Sequence, residues 1–584
     1  MLKRLFPDGV VPALQKLPSF LVALAASVVF GVSYGFNYGS DNQTAYFLGA
    51  LRLIDPTILN QDWYATGPGN YHPIFAYLGY VLLLFNRSGW GVGVAMVLTA
   101  VVGAMCMYRL LVDLVEPRVA LPAFLLLATV MTLTRTSSVA ASYVFSWVIQ
   151  PSTVSSMFLL AAIPPFVRGR WLASGVLLGL AGLLHANFLV LGIATFGLTH
   201  LLLGREALPR RLALQLGPSL VALLLLAPLL LRSTASVDAA RAQEILFNIR
   251  SPHHYSPKTY ERAFFPFAAW QMIGLGCGGW LLRGRGGRGA RLGALIVSMA
   301  AAVWSGTLLT TAIYLPRVAQ AFVWRYAPFL ELLAQLLACA TATRVAIEPA
   351  FARRIPRGGL ALTIAGVVLL LMLEGNRGSR EVTPMVLALV ALPLVFLLAA
   401  AAGRGLARVR PLAAPLAAVG RQSHLLALLA ALAAGAVIGG SYLKAHPVRA
   451  NLAGRNGGAE ADLYTWIHAN TPKDAVFVTP PQMERFRLLG ERAIIADWKG
   501  SPIAPGDLLE WYRRLEDVSG RRAFRGMGDL TSGYDTMDQA RLEALKARYK
   551  ASFAVVSRNR AGALAAYRTV YQNGQYAVLA LDGG

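Results

Sequence analysis

Long apolar segments alternating with short basic ones form the dominant pattern of this sequence. We predict about thirteen membrane-spanning helices of roughly 15 to 22 residues, a length that crosses a bilayer when tilt and flanking residues are allowed for. The predicted spans cover residues 17–36, 90–111, 119–134, 153–167, 171–184, 188–203, 213–231, 265–282, 292–313, 326–346, 360–374, 383–402 and 424–442. The apolar run from His72 to Phe85 is predicted to be a short interfacial or re-entrant helix, because a further span there would put Arg168 and Arg170 outside.

Arginines recur in the short loops of one side of this pattern. The basic clusters lie around residues 168–170, 205–211, 283–288, 353–357 and 404–410. Basic loops remain in the cytoplasm, and an odd number of spans puts the two termini on opposite sides. The N-terminus is therefore predicted to be cytoplasmic, and the first loop, residues 37–89, to be external.

The character of the chain changes at about residue 443, where polarity rises and apolar runs shorten to strand length. Helices are predicted at 459–469, 508–515 and 537–549, and strands at 475–479, 493–497, 553–556 and 576–581. Residues 443–584 are therefore predicted to form an extracytoplasmic (periplasmic) α/β domain that follows a transmembrane domain of residues 1–442.

Composition supports the membrane location independently. The 584 residues are 56% hydrophobic and only 14% charged, whereas soluble proteins are about 25% charged. The net charge of +25 follows from basic loops that face the cytoplasm and anionic lipid, and we predict no nucleic-acid partner. Cys106, Cys277 and Cys339 each lie in an apolar run and are predicted to be core residues.

The first loop carries the leading candidate for catalysis. Asp41 follows the first span closely, and a carboxylate at the membrane surface suits a general base toward an acceptor hydroxyl. The alternative is that Asp41 caps a helix starting at Asn42. Asp55, which precedes a proline, is better explained as a cap or turn residue. Asp62 and His72 lie further along the loop and are candidates for binding the substrate.

Polar residues at the outer ends of later spans are the second set of candidates. Gln150, His185 and Asn187 lie in apolar surroundings, where polar groups are costly unless they face water or a partner. A structural role for His185 remains the alternative. We therefore predict that these residues line a polar cavity.

The external loop 232–262 and the loop after it supply cationic candidates. Arg250, His253, His254 and Tyr255 lie close together between prolines, and Arg325 follows in the next external loop. Adjacent histidines in an extended segment point apart, so a shared metal site is disfavoured and hydrogen bonds to a phosphate or sugar are favoured. Ordinary interfacial placement is the alternative for the arginines of the later loop.

The architecture and the Tyr38-Gly-Ser-Asp41 segment together resemble the GT-C superfamily of membrane glycosyltransferases. The segment 466–481 is similar to the tail of poorly characterised bacterial members. The resemblance implies a sugar donor linked to polyprenyl phosphate, with Asp41 as the base. From the residues themselves we predict that Asp62 and His72 orient the acceptor or sugar, and that Arg250, His253, His254 and Arg325 stabilise the departing phosphate.

Two departures from the GT-C pattern bear on metal binding. Asn42 stands where many relatives have a second acid, and residues 135–152 contain no acid. No metal ligands are therefore assigned, and the need for a divalent cation such as Mg²⁺ or Mn²⁺ is left open.

The favoured hypothesis is an inverting glycosyltransferase at the outer face of the cytoplasmic membrane. It would use membrane lipid as the donor carrier and a glycan, lipid or protein of the envelope as acceptor. A transporter or flippase for a lipid-linked substrate is one alternative, although no internal repeat is evident. A scaffold without catalytic activity is the other.

Overall fold

Helices make up most of the first 375 residues. The computed structural model describes residues 10–69, 71–85, 89–133, 138–232, 238–313, 315–375, 450–451 and 457–581. Its long apolar helices are Val10–Val32, Trp90–Leu114, Pro117–Leu133, Pro151–Val167, Trp171–Leu184, Ala186–Leu202, Leu208–Arg232, Phe264–Leu281, Gly286–Thr311, Ala327–Ile347 and Arg357–Gly375. Each predicted span from 17–36 to 360–374 coincides with one of these helices. The predicted spans 383–402 and 424–442, and the proposed domain boundary at 442, lie outside the described residues.

Several of these helices have the length and apolarity of membrane spans. Within the described residues, four stretches are long and apolar enough to cross a bilayer: Trp90–Leu114, Leu208–Pro228, Gly286–Thr311 and Val318–Ile347. Other apolar helices, such as Trp171–Leu184, are shorter. The exposed faces of these helices carry large apolar side chains. In helix Leu208–Arg232, for example, Leu224 is 73% exposed and Leu225 is 67% exposed. Such surfaces support the predicted membrane location, because lipid is the solvent that suits them.

The first loop folds into short helices that pack against one another and against the longer helices. They are Gln43–Tyr46, Leu48–Ile54, Trp63–Thr66 and Pro73–Phe85. The last begins at the proline of the His72–Phe85 run, where a missing N–H is harmless. Gly89 has a φ of +87°, and a Cβ there would lie 2.2 Å from the Tyr38 ring. Glycine at this position thus allows the start of the loop to pack against the second long helix.

The long connection before helix Phe264–Leu281 is also built of short helical turns. A turn at Ala239–Glu244 continues through a wider helical turn, Ile245–Arg250, into Pro252–Tyr255, Pro257–Thr259 and Glu261–Ala263. Similar short pieces occur at Val139–Ala141, Pro316–Ala321, Val323–Tyr326 and Pro349–Ala352. Prolines at the first helical positions set where many of these turns begin.

The C-terminal region contains a mixed sheet with helices on both faces. Its strands are β3 (Val476–Val478), β4 (Ala493–Ile494), β5 (Phe553–Ser557), β6 (Arg568–Gln572) and β7 (Tyr576–Ala580), in the order β4-β3-β5-β7-β6. Strands β3, β4 and β5 are parallel, and β5, β7 and β6 are antiparallel. Its helices are Ala459–Asn470, Phe486–Leu489, Pro505–Ser519, Met527–Tyr534, Gln539–Tyr549, Arg558–Ala561 and Gly562–Leu564. Each predicted helix and strand of this region coincides with one of these elements, whereas β6 and the helices Phe486–Leu489, Met527–Tyr534, Arg558–Ala561 and Gly562–Leu564 were not predicted.

The side chains of each strand point alternately to the two faces of the sheet, which explains why the sheet is covered on both sides. In β3, Val476 and Val478 face one apolar core, whereas Phe477 faces another. Successive side chains of a strand point to opposite faces, so a fully apolar strand needs cover on each. A second, two-residue parallel pairing joins β1 (Phe36–Asn37) to β2 (Ala450–Asn451). It connects the end of the first long helix to the start of the C-terminal region.

Candidate functional site

Asp41 forms an ion pair with a lysine of the C-terminal region. The Lys499 Nζ lies 2.6 Å from the Asp41 Oδ1. Asp41 has a φ of 52°, a left-handed conformation that Asp and Asn tolerate better than most residues. Helix Gln43–Tyr46 has Asn42 at its N-cap and no side-chain cap hydrogen bond. The Asp41 carboxylate is therefore held by an ion pair, and the alternative that it caps this helix is not supported.

Amide and phenol groups order the chain next to Asp41. The Asn42 Nδ2 donates to the Gln150 Oε1 at 2.8 Å, and the Gln150 Nε2 donates to the Tyr143 hydroxyl. Gln150 is only 1% exposed. Tyr143 lies within electrostatic range of Asp41. Gln150 thus positions two groups beside Asp41, which is a supporting role and not the substrate contact that we predicted.

Aromatic rings bring two of the predicted histidines together. The His72 ring centroid lies 5.2 Å from that of His185 and 5.3 Å from that of Tyr46. Burial, together with the nearby Arg325, lowers the pKa of His72 to about 3. His72 is therefore neutral near pH 7. Tyr46 also lies within electrostatic range of Asp41, which places this aromatic group in the same region as that carboxylate.

Two arginines in the same region have no carboxylate partner among the residues that the structure describes. The Arg325 guanidinium lies 4.7 Å from the Phe322 ring centroid and 5.6 Å from that of Phe188. The Arg250 guanidinium lies 5.3 Å from the ring centroid of Trp498. The Nε of each arginine is buried and has no hydrogen-bond partner within those described residues. Contacts with aromatic faces thus hold both cations in place without neutralising them.

The two guanidinium groups converge on shared neighbours. Both lie within electrostatic range of Tyr46, His254 and Tyr255. Neither guanidinium has a direct ion-pair partner among the described residues, although Glu484 lies within electrostatic range of Arg250. A buried cation without a direct ion pair is costly, and an anion that binds both guanidinium groups offsets that cost. The arrangement therefore favours binding of a phosphate or a carboxylate between them.

His253 and His254 lie at the edge of this region. They belong to the short helix Pro252–Tyr255, and their ring centroids are 4.1 Å apart. The prediction that their side chains point apart is wrong, because it assumed an extended segment. The His254 Nδ1 lies 2.9 Å from the Ala140 carbonyl oxygen, which fixes the ring. Burial and the neighbouring His253 lower the pKa of His254 to about 3.

The C-terminal region contributes further groups. Lys499 lies within electrostatic range of His253. Glu484 lies within range of Lys499, Arg250 and Asp41, and burial raises its pKa. The residues that meet here are called the Asp41 cluster below. They are Asp41, Tyr46, His72, Tyr143, His185, Arg250, His253, His254, Tyr255, Arg325, Glu484 and Lys499.

A buried ion triad holds the C-terminal region against the first loop. The Arg487 Nε lies 2.7 Å from the Asp62 Oδ2, and its Nη1 lies 2.7 Å from the Asp497 Oδ2. The Gly500 N–H donates to the Asp497 Oδ1 at 2.6 Å. A Cβ on Gly500 would lie 3.0 Å from the Arg487 Nη1. The triad therefore fixes the backbone on either side of Lys499.

Two predicted substrate-binding residues have structural roles instead. Asp62 is fully buried, and its oxygens accept from Arg487 and from the backbone N–H groups of Ala65 and Ile494. The Asn187 Nδ2 donates to the carbonyl oxygens of Gln320 and Ala321. Asp62 has no surface left for a ligand, so we correct its assignment to an anchor of the fold. Asn187 joins two helical segments.

The predicted turn at Asp55 is present. The Asp55 Oδ1 accepts from the Thr57 N–H at 3.0 Å, and the Lys473 Nζ lies 2.8 Å from the Asp55 Oδ2. Hydrogen bonds from Lys473 and Thr57 hold the pKa of Asp55 well below its usual range. This pair also joins the first loop to the C-terminal region, away from the Asp41 cluster.

Sequence reasoning missed several members of the cluster. Tyr46, Tyr143, Glu484 and Lys499 were not candidates, nor was Trp498 beside Arg250, because each is an ordinary residue of its local segment. Only the approach of residue 499 to residue 41, across 458 positions, reveals their role. A lysine two residues after a buried Asp497, shortly beyond strand β4, is the one weak local signal.

The residues present do not fit a divalent cation. The residues that the structure describes include no group of three or more His, Cys, Asp or Glu side chains that could hold a metal ion. Mg²⁺ and Ca²⁺ prefer several oxygen ligands, whereas the side chain against Asp41 is the ammonium of Lys499. The positive charge beside Asp41 thus comes from the chain itself.

Comparison with known proteins finds one family model and several solved structures. Residues 458–518 match a domain of unknown function, DUF6798; this segment contains Glu484, Arg487 and Lys499. No curated protein matches. The structure of ArnT from Cupriavidus metallidurans bound to undecaprenyl phosphate matches with a TM-score of 0.45 and 16% identity, over 96% of this chain and 97% of that one. Archaeal oligosaccharyltransferase AglB from Archaeoglobus fulgidus, in complex with an inhibitory peptide and a dolichol-phosphate, matches with a TM-score of 0.45 and 11% identity, over 93% and 69% of the two chains.

Proposed function

We propose that this protein transfers a sugar from a polyprenyl-phosphate donor to an acceptor hydroxyl at the outer face of the cytoplasmic membrane. One observation carries the proposal: Arg250 and Arg325, without carboxylate partners in the described part of the chain, share Tyr46 as a neighbour with Asp41. A phosphate site beside a carboxylate is what such a transfer needs. The GT-C resemblance of the sequence points to the same chemistry.

A lipid-borne donor is favoured by the surface next to the cluster. His72 directly precedes helix Pro73–Phe85. On that helix Tyr77, Val81 and Leu84 are 62%, 47% and 57% exposed. Their spacing of four and three residues puts them on one face. An exposed apolar face that begins at the cluster suits a polyprenyl chain whose phosphate reaches the arginines.

The proposed reaction is a single displacement with inversion at the anomeric carbon. Asp41 accepts the proton of the acceptor hydroxyl as its oxygen forms a bond to that carbon. The bond from the anomeric carbon to the phosphate oxygen breaks, and its electron pair leaves with the polyprenyl phosphate. Arg250 and Arg325 stabilise the negative charge that develops there. His253 and Tyr255 border the same phosphate and donate hydrogen bonds, whereas the single N–H of neutral His254 is donated to the Ala140 carbonyl oxygen and its ring borders the phosphate.

Turnover by the purified full chain tests this function. The protein is reconstituted in lipid nanodiscs with a panel of polyprenyl-phosphate sugars, and release of polyprenyl phosphate is measured. We expect Asp41→Asn to lower kcat by about a hundredfold or more, because it removes the base and keeps the size and backbone preference.

Asp55→Asn is the matched control, since Asp55 also pairs a first-loop carboxylate with a lysine of the C-terminal region. It should keep wild-type turnover. Wild-type turnover by Asp41→Asn would remove the proposed base. Movement of the lipid-linked sugar across liposomes without any transfer would instead favour a transporter.

A further inference from the structure

We propose that Lys499 is a catalytic residue of this site: its ammonium supplies the positive charge beside Asp41 and binds the donor phosphate, where other enzymes place a divalent cation. The inference rests on the proposed function and extends it to the C-terminal region. That region would then complete the active site instead of merely covering it.

The first argument is the placement of the ammonium group. Lys499 Nζ lies 2.6 Å from the Asp41 Oδ1, and the Lys499 side chain is only 17% exposed. An ammonium has three N–H donors, and within the described part of the chain Lys499 donates one of them, to Asp41. The remaining donors are available to a second anionic oxygen.

The second argument is the position of Lys499 relative to the arginines. Lys499 and Arg250 are both within electrostatic range of His253 and of Glu484. The residue before Lys499, Trp498, lies against the Arg250 guanidinium. A phosphate that binds Arg250 therefore lies next to the ammonium. Attraction between a phosphate and a partly desolvated cation is several times stronger than in water.

The third argument is that the fold fixes this lysine rigidly. Asp497 is bound by Arg487 on one side of it, and Gly500 donates to Asp497 on the other. The Trp511 indole N–H also donates to the Asp497 carbonyl oxygen at 2.8 Å. A lysine that only faces solvent does not need these hydrogen bonds and ion pairs around it. Preorganised charge is what stabilises a transition state.

The reaction itself gives Lys499 a changing role. In the resting site its charge is balanced by Asp41. As Asp41 takes the acceptor proton it becomes neutral, and the leaving phosphate gains the electron pair at the same time. The balance of attraction on Lys499 therefore shifts from the carboxylate to the phosphate during the transfer. This shift stabilises the transition state more than the ground state, which is the requirement for catalysis.

The test compares Lys499→Ala and Lys499→Arg with Lys473→Ala in nanodiscs. Lys473 is the matched control, because it makes the other lysine pair with the first loop, at Asp55. Two quantities are measured separately: affinity for undecaprenyl phosphate without turnover, and kcat with the sugar donor.

We expect Lys499→Ala to weaken binding about tenfold and to lower kcat about a hundredfold or more, with a thermal midpoint near that of wild type. Lys499→Arg should recover part of both, and Lys473→Ala should change neither. Chelation with EDTA should leave wild-type turnover unchanged.

The inference is overturned if Lys499→Ala binds and transfers as wild type does. It is also overturned if EDTA abolishes turnover and Mn²⁺ or Mg²⁺ restores it. Failure of the proposed function gives a different result: the wild type binds undecaprenyl phosphate with the expected dependence on Lys499 but transfers no sugar from any donor.

Discussion

Arg487 Nε donates to Asp62 Oδ2 across 2.7 Å, and the two residues are 425 positions apart. Their side chains are 2% and 0% exposed. The contact links the helix N-cap at Asp62 to the helix Phe486–Leu489 region and hence to the segment that carries Lys499. It is one of the connections between the C-terminal region and the first loop, and it lies next to the segment that reaches the Asp41 cluster.

Breaking this buried pair should destabilise the protein strongly. Asp62→Asn retains the helix cap, because Asn caps as well as Asp does, but leaves the Arg487 charge undercompensated. We expect the free energy of unfolding to fall by about 3–5 kcal/mol. Lys473→Ala breaks a more exposed pair and should cost about 1 kcal/mol or less. Equal thermal midpoints for the two variants in detergent would contradict the anchoring role.

Arg250 should matter for the phosphate and not for stability of the fold. We expect Arg250→Ala to weaken binding of undecaprenyl phosphate by about tenfold or more, the loss of one charge-assisted interaction. Arg241→Ala is the control: it lies in the same connection but pairs with Glu244 at the surface. Binding isotherms in nanodiscs measure both. Similar affinities for the two variants would argue against Arg250 as a phosphate ligand.

His254 should make stability depend on pH in a defined direction. Burial lowers its folded-state pKa to about 3, with further contributions from His253, Arg325 and Arg250, whereas an unfolded histidine has a pKa of about 6.5. Between these values the unfolded state binds more protons. Stability is therefore complete above about pH 6.5 and is lost as the pH falls toward about 3.

Comparison of thermal midpoints at pH 7 and pH 4 measures this effect. The decrease should be smaller in His254→Gln, which cannot titrate, than in the wild type. If the thermal midpoint of His254→Gln fell as much as that of the wild type, the His254 ring would have to be solvated. That result would contradict its contact with Ala140.

Single cysteines test the predicted orientation. Cysteines at Arg354 and Gly358 should resist a membrane-impermeant thiol reagent in intact cells, because their loop is basic and predicted to be cytoplasmic. Cysteines at Ser256 and Ser532 should react. A variant without the three native cysteines provides the background. Labelling of the first pair would reverse the orientation and place the Asp41 cluster on the cytoplasmic side.

The pattern of apolar residues predicted the long helices and most strands that the structure describes. A helix that buries apolar side chains against other helices or lipid needs an unbroken apolar run, so 90–111 and 171–184 were found almost to the residue. Buried strands such as β3 and β5 were found because short β-branched runs lie between turn residues. Arg250 and Arg325 were candidates by residue type alone, because arginines near apolar segments are rare enough to stand out. Their phosphate-binding role stays a prediction.

Only the tertiary structure decided which charges are paired. In the sequence, Asp41 and Asp62 are both acids of the first loop. In the structure, Asp41 pairs with Lys499 at a partly exposed position, whereas Asp62 is buried and pairs with Arg487. These partners come from the distant C-terminal region, and no local pattern encodes a contact across 458 or 425 positions. The role of a carboxylate follows from its burial and its counter-ion, and both are properties of packing.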